Sequence, residues 1–234
     1  MIRNILIVIP PLVNREEDTD PDPSRPDFET RRLVSPVEPT SVAADLLEHG
    51  FEVSLFDLGV HIENRYENLR RHMEAFAPDA VVMVQAILTF ATAQDWDGRR
   101  VFELARERNP EIVTVLTGNM ATNYPGKAVS DGVCDYSIRG EVDFAVGTLL
   151  TALAEDGDTS EIPGVAYRTA VGTVACSDRY PEVDVARLPS PAYHLLDRFH
   201  VAQYPKTQEI GKIRRSEERP GGKEGRHRRS ATHA

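Results

Sequence analysis

The chain has 234 residues, is 41% hydrophobic and carries a formal net charge of −10 at pH 7. This length gives one sizeable core domain with some sequence left over, and the acidic balance argues against a general nucleic-acid-binding protein. The apolar run 5–13 contains Pro10 and Pro11 and is too short to span a bilayer or to act as a signal peptide. We therefore expect a cytoplasmic protein without membrane contact.

The first 156 residues alternate strand and helix patterns. Residues 4–9 are an unbroken apolar run, typical of a central parallel strand, and the Pro- and Asp-rich segment 14–36 predicts a loop over the carboxyl edge of the sheet. The repeated cycle predicts an α/β fold: a doubly wound, five-stranded parallel sheet of flavodoxin-like or Rossmann-like type, with strand order 2-1-3-4-5. The predicted strands are 4–9, 51–56, 80–84, 112–116 and 136–138, and the predicted helices are 37–49, one around 69–76, 94–108, 127–130 and 142–153.

The pattern changes after residue 156. Residues 164–168 and 172–176 predict a small β-hairpin, and 188–193 form a proline-stiffened connector. Residues 206–234 lack hydrophobic periodicity and aromatic residues, which favours a disordered basic tail over an arm for nucleic acid. We expect three segments, 1–156, 157–205 and 206–234, and a tail of this kind is also what truncation or a frameshift would create.

Two glycine turns follow predicted strands, at Gly118 and at Gly140. In a doubly wound sheet a ligand binds at the carboxyl ends of the strands, and a glycine there lets the ligand approach the backbone closely. Cys134 and Cys176 are the only cysteines and have no metal-ligand spacing. We therefore predict no zinc or iron–sulfur site within this chain.

These motifs, in this order, resemble the N-terminal cobalamin-binding domain of B12-dependent radical SAM enzymes. The segment Thr117-Gly118-Asn119-Met120-Ala121-Thr122 is similar to the Gly-Gly-x-x-Ala-Thr turn of that family, and Arg139-Gly140-Glu141 matches its Arg-Gly-Glu turn. The connector 188–193 is similar to the Leu-Pro-x-Pro segment before the radical SAM barrel. The resemblance covers about residues 2–197 and includes the segments 5–11, 45–53 and 78–82.

The resemblance implies a corrinoid cofactor, cobalamin, in a module of a methyltransferase. It assigns SAM and a 4Fe-4S cluster to a separate radical SAM domain, whose Cys-x-x-x-Cys-x-x-Cys motif this chain lacks. That domain would be lost in cis or supplied in trans, so we expect no catalytic residues here and no turnover by the chain alone. The implied cofactor-binding residues are Pro10, Pro11, Gln85, Ile87, Leu88, Thr89, Gly118, Asn119, Ala121, Thr122, Gly140 and Glu141.

The sequence departs from the family at three positions. Residues 10–15 contain no histidine where the Asp-x-His-x-x-Gly motif of other cobalamin domains supplies an axial ligand, and His61 is expected to be an ordinary loop residue. Gln85 begins the stretch that replaces a Ser-x-Leu element, and Thr117 replaces the first glycine of the Gly-Gly turn.

Several of these residues have a purely structural alternative. Gly118 could only make a tight turn, Thr89 could cap a helix, Glu141 could occupy a helix N-cap, and Leu88 and Phe90 could belong to the core.

Three alternatives remain for the whole chain. It could be a truncated remnant that folds and binds nothing. It could be a Rossmann-like nucleotide-binding module, since Asp57 imitates a ribose-binding acid, although no Gly-x-Gly-x-x-Gly follows the first strand. It could also be a receiver-like module, although Gln85 stands where a phosphorylatable aspartate is needed.

Overall fold

A computed structural model describes residues 2–10, 36–60, 64–85 and 98–196. Its strands form one mixed sheet in the order β2-β1-β3-β4-β5-β6-β7, in which the first five strands are parallel and the last two antiparallel. The predicted α/β class and the 2-1-3-4-5 order of the parallel strands are confirmed. The strands are β1 (Asn4–Ile9), β2 (Glu52–Asp57), β3 (Ala80–Gln85), β4 (Val113–Gly118), β5 (Tyr136–Ile138), β6 (Val165–Arg168) and β7 (Val174–Cys176).

The five predicted parallel strands and the predicted hairpin are present, but the sheet has seven strands rather than five, because the hairpin β6–β7 belongs to the same sheet. Tyr136 of β5 pairs with Tyr167 of β6, and their rings stack with centroids 6.4 Å apart. Without β6, one edge of β5 would present backbone N–H and C=O groups without sheet partners. Val165 of β6 is 1% exposed and lies in the main hydrophobic core.

The helices cover both faces of the sheet, as in a doubly wound fold. Val42 of the first helix and Val146 of the last pack on one face with Ile7, whereas Leu69 and Val101 pack on the other face. None of the helices in the described ranges is long and apolar enough to cross a membrane. They are α1 (Val37–Glu48), α2 (Arg65–Phe76), α3 (Gly98–Arg108), α4 (Asn119–Asn123), α5 (Lys127–Ser130) and α6 (Ala145–Ala154).

Polar side chains close the amino edge of the sheet. Oδ2 of Asp79 accepts hydrogen bonds from the backbone N–H groups of Arg3 and Asn4, both at 2.9 Å. Oδ2 of Asp135 accepts from the backbone N–H of Thr114 at 2.9 Å and from its hydroxyl at 2.6 Å. Arg106 adds an ion pair to Oδ1 of Asp135 at 3.2 Å. These contacts tie the starts of neighbouring strands together.

The proline-rich connector packs back onto the α/β core. Two short 3-10 turns, Val185–Arg187 and Tyr193–Leu195, lie at its two ends, and the backbone N–H of Ala192 donates to the carbonyl of Thr40 in α1 at 2.9 Å. The predicted loop before residue 36, the start of the predicted helix at 94–97, His61, Phe90 and the predicted tail 206–234 lie outside the described residues. The division into three segments stays a prediction.

Candidate functional site

The carboxyl ends of the parallel strands meet at one edge of the sheet. Gln85, the last residue of β3, pairs with Gly118, the last residue of β4, and Ile9 of β1 pairs with Asp57 of β2. The strand order reverses between β1 and β3, and the crevice beside such a switch point is where doubly wound sheets bind ligands. The ends of β1 and β3, from which residues 11–35 and 86–97 continue along the chain, therefore border the expected site.

Part of the predicted site falls in those two segments. Pro11, Ile87, Leu88 and Thr89 lie in 11–35 and 86–97, outside the described residues, and their roles stay predictions. Pro10 is described and buried at the end of β1.

The turn at Gly118 is one that glycine adopts readily. Its φ of 87° and ψ of −148° lie in a region that is essentially restricted to glycine. The backbone then turns directly into α4, which places Asn119 and Thr122 beyond the strand end and buries Ala121 at 2% exposure. Oδ1 of Asn119 accepts a hydrogen bond from Nδ2 of Asn123 at 3.0 Å. The predicted glycine turn is thus present, and the sequence reading missed the short helix that follows it.

The two glycine motifs are joined by a hydrogen bond. The backbone N–H of Gly140 donates to the hydroxyl oxygen of Thr122 at 3.0 Å. Gly140 has a φ of 78°, and a Cβ there would lie 2.9 Å from Cδ1 of Tyr180. The guanidinium of Arg139 lies 4.3 Å from the centre of the Tyr180 ring. Tyr180 therefore packs on the Arg-Gly-Glu turn, a contact that sequence spacing does not reveal.

Glu141 does not cap a helix, so the capping alternative is wrong. Helix α6 begins at Ala145, with Phe144 at the N-cap position. The positive φ of Gly140 turns the chain away from the helical path just before Glu141. Glu141 is exposed instead.

Three carboxylates cluster where α1 and α6 begin. Burial, together with the nearby charges of Asp143 and Glu141, raises the pKa of Glu38 to about 7. Glu38 is half-buried in the first turn of α1. Sequence reasoning missed Glu38, because its neighbours are more than a hundred residues away along the chain.

Thr117, a departure from the family pattern, and Asp57, named for the ribose-binding alternative, both have structural roles. The Thr117 hydroxyl, which is fully buried, donates to the carbonyl of Met83 at 3.3 Å. Oδ1 of Asp57 accepts from the backbone N–H of Gly59 at 2.7 Å, and Asp57 is 6% exposed. Asp57 thus stabilises its own turn, which does not support the ribose-binding alternative.

The described residues offer no ready metal site. Among them there is no group of three or more His, Cys, Asp or Glu side chains that could hold a metal ion. Burial raises the pKa of the Cys134 thiol to about 12, whereas Cys176 is exposed.

A family comparison identifies the type of ligand. The model of the B12-binding domain matches residues 31–150, just over half of the chain. The chain belongs to the B12-binding domain family. This confirms the resemblance to cobalamin-binding domains and names cobalamin as the cofactor.

Curated relatives of this B12-binding domain include methyl-transferring enzymes. The uncharacterised methyltransferase PH0819 of Pyrococcus horikoshii is 23% identical over 200 residues, which cover 83% of this chain and 39% of the relative. The hopanoid C-3 methylase of Methylococcus capsulatus is 29% identical over 134 residues, covering 56% of this chain and 24% of the relative. The anaerobic magnesium-protoporphyrin IX monomethyl ester cyclase of Rubrivivax gelatinosus is 27% identical over 135 residues, which cover 56% of this chain and 23% of the relative. The chain spans less than two fifths of each.

Solved structures share the fold. The radical S-adenosylmethionine methyltransferase TsrM from Kitasatospora setae superposes with a TM-score of 0.56 at 20% identity, over 83% of this chain and 33% of TsrM. The cobalamin-dependent S-adenosylmethionine radical enzyme OxsB with aqua-cobalamin bound gives a TM-score of 0.57 at 16% identity, over 82% of this chain and 24% of OxsB.

Proposed function

We propose that this B12-binding domain is the cobalamin-carrying module of a radical SAM methyltransferase and holds its cofactor at the carboxyl edge of the sheet. The family match over residues 31–150 is the observation that carries the proposal. The names of the relatives, two of which are a methyltransferase and a methylase, support the enzyme class.

The described part of the carboxyl edge fits a corrin. A corrin is a large, mostly apolar disc fringed with amides, so its site needs close backbone approach and hydrogen-bonding partners. Gly118 has no side chain to obstruct that approach and has a positive φ, whereas at Gly140 the Tyr180 ring lies where a side chain would begin. We assign Asn119 and Thr122 as polar partners for the amide fringe, with buried Ala121 supporting the turn beneath them.

The residues of this edge then have separate roles in cobalamin binding. Bound cobalamin supplies methyl-group transfer at cobalt. The Thr122 hydroxyl holds Gly140 at the distance observed here, so the two glycine turns present one continuous backbone surface. Glu38 and Glu141 place carboxylate oxygens beside that surface, where they can accept hydrogen bonds from amide N–H groups. The proposed set of cofactor-binding residues is completed at the switch point by Pro10, Pro11, Gln85, Ile87, Leu88 and Thr89.

The SAM chemistry is assigned to a different domain. The sequence contains two cysteines, far apart, and no Cys-x-x-x-Cys-x-x-Cys motif, whose three thiolates the family resemblance assigns to the cluster that cleaves SAM. We expect the purified chain to bind cobalamin and to leave SAM intact unless a radical SAM domain is supplied. An iron–sulfur cluster retained by the purified chain, measured by iron and sulfide analysis, would contradict this assignment.

The test of cobalamin binding is loading followed by separation. The full chain is mixed with hydroxocobalamin, passed over a gel-filtration column, and the visible spectrum of the protein peak is recorded. We expect wild type to carry stoichiometric cobalamin and Gly118→Trp to elute without it, because an indole at the strand end fills the space that the cofactor needs.

Gly132→Trp is the matched control. Gly132 also has a positive φ, +70°, and a Cβ there would meet no atom within 4 Å, but it lies before β5, at the opposite edge of the sheet. The control should retain cobalamin. A folded wild-type chain that elutes without cobalamin would favour the non-binding remnant.

A further inference from the structure

The aromatic ring of Tyr180 occupies the space beside Gly140 that a side chain would otherwise fill. A Cβ built on Gly140 would lie 2.9 Å from Cδ1 and 3.6 Å from Cε1 of that ring. The φ of Gly140, +78°, also lies in a region that residues with a side chain rarely adopt. Glycine at this position therefore serves both the backbone turn and the packing of Tyr180.

The segment that carries Tyr180 is fixed to the end of β5 through Gly164. The backbone N–H of Gly164 donates to the carbonyl of Arg179 at 2.9 Å, and the backbone N–H of Arg139 donates to the carbonyl of Gly164 at 3.0 Å. A Cβ on Gly164 would lie 2.8 Å from Cγ and Cδ of Pro181. Both chain neighbours of Tyr180 thus hold its ring at the carboxyl edge of the sheet.

The ring of Tyr180 also contacts the residue before Gly140. The guanidinium of Arg139 lies 4.3 Å from the centre of the ring, a distance at which the cation is attracted to the aromatic face. The tyrosine nevertheless remains 57% exposed. Burial of apolar surface therefore explains only part of its position, and its packing is directed at the turn formed by residues 139 and 140.

The turn that Tyr180 holds is connected to a residue of the proposed cobalamin site. The backbone N–H of Gly140 donates to the hydroxyl oxygen of Thr122 at 3.0 Å. Because that oxygen accepts from Gly140, the hydroxyl proton can donate to an amide carbonyl of the corrin fringe. Without the ring, Gly140 would sample more backbone conformations, and ordering the turn again on binding would cost conformational entropy.

We propose that Tyr180 is a positioning residue for cobalamin, whose ring holds the Gly140 turn so that Thr122 is presented to the cofactor. This inference rests on the proposed function. It places a determinant of binding outside residues 31–150, which the family model matches. The role belongs to the aromatic ring and not to the phenol hydroxyl, since the ring atoms make the contacts with the turn.

The test titrates hydroxocobalamin into the full chain and follows the visible spectrum, at low temperature with each variant shown to be folded by circular dichroism. Tyr180→Ala removes the ring and should weaken cobalamin affinity about fivefold to tenfold. Tyr180→Phe keeps the ring and should bind as wild type does. Val185→Ala is the control, because Val185 is 76% exposed and follows closely in the chain, and it should also bind as wild type does.

Combining Tyr180→Ala with Thr122→Val separates positioning from a general loss of packing. If the ring acts through Thr122, the double variant should bind at most about twofold more weakly than Thr122→Val alone, because the connection is already broken. A general loss of packing would instead weaken binding by the same factor in both backgrounds.

The inference is overturned if Tyr180→Ala binds like wild type, if Tyr180→Phe is as weak as Tyr180→Ala, if Val185→Ala weakens binding equally, or if the loss of the ring has the same effect with Thr122→Val. In each of these cases wild type still binds cobalamin, and the proposed function stands. A folded wild-type chain that binds no cobalamin overturns both.

Discussion

At the amino edge of the sheet, Asp79 and Asp135 accept hydrogen bonds from backbone N–H groups of neighbouring strands. At the carboxyl edge, Glu38 instead has a pKa that is raised by burial and by two nearby carboxylates, and two strands are followed by turns at Gly118 and Gly140 with positive φ. The polar groups of the amino edge are used within the fold. At the carboxyl edge the carboxylates instead repel one another, and the glycines allow the turn at Gly118 and the packing of Tyr180 on Gly140.

This difference indicates that the amino edge of the sheet contributes to stability and the carboxyl edge to ligand binding. In a parallel α/β sheet the amino ends of the strands contribute to stability, and the carboxyl ends carry the ligand. Substitutions at the amino edge should therefore alter the free energy of unfolding without altering cobalamin affinity, and those at the carboxyl edge should alter affinity.

The largest effect on stability is expected for Asp135→Ala. The substitution removes the acceptor for the backbone N–H and hydroxyl of Thr114 and leaves Arg106 without its ion-pair partner. It should lower the free energy of unfolding by about 2 kcal/mol, measured by urea denaturation, with unchanged cobalamin affinity at low temperature.

Asp131→Ala is the matched control for that substitution. Asp131 forms an exposed ion pair with Lys127 at 2.8 Å, so its loss should cost about 0.5 kcal/mol or less. If the folded Asp135→Ala variant bound cobalamin more weakly than wild type, the claim that the amino edge contributes only to stability would be contradicted.

A smaller effect is expected for Thr122→Val, which keeps the shape of the side chain and removes its hydroxyl. The backbone N–H of Gly140 then loses its acceptor, and the two glycine turns are no longer joined. We expect a loss of about 1 kcal/mol in stability and a severalfold weaker cobalamin affinity in spectroscopic titration. Thr122→Ser should restore both, and a Ser variant as weak as Val would contradict the role of the hydroxyl.

An effect similar in size to the stability loss of Thr122→Val, but confined to high pH, is expected at Glu38. Its pKa is raised in the folded state, so the folded chain holds a proton that the unfolded chain releases. The contribution of Glu38 to the free energy of unfolding is fully present below its ordinary pKa of 4.5 and is lost as pH rises through its folded-state pKa of about 7. Glu38→Gln should therefore be more stable than wild type by about 1 kcal/mol at pH 8 and equal to it at pH 4. Parallel denaturation curves at both pH values would show whether the difference disappears.

Much of the sheet could be predicted because its central strands are continuous apolar runs. The residues of β1 from Ile5 to Val8 are fully buried, and such a run is compatible with few other environments. The place of the hairpin could not be predicted, because the pairing of Tyr136 with Tyr167 depends on contacts between distant segments. Helix α4 was missed because five residues are too few to show a helical period.

The site was predictable only in part. Glycines after strands indicated the turns at Gly118 and Gly140, since glycine there has a conformational reason that sequence alone reveals. The approach of Thr122 to Gly140, and of Glu38 to Asp143, depends on how the strand ends meet in three dimensions. The contributions of Ile87, Leu88 and Thr89 lie outside the described residues and stay predictions.

The central claim, that cobalamin binds at the carboxyl edge, is tested most directly by amide hydrogen exchange with and without hydroxocobalamin, read by mass spectrometry. We predict slower exchange in peptides covering 117–123 and 139–142 when the cofactor is bound, and unchanged exchange in peptides covering 109–113 and 131–135 at the amino edge. Protection confined to the amino edge, in a chain that has bound cobalamin, would contradict the claim.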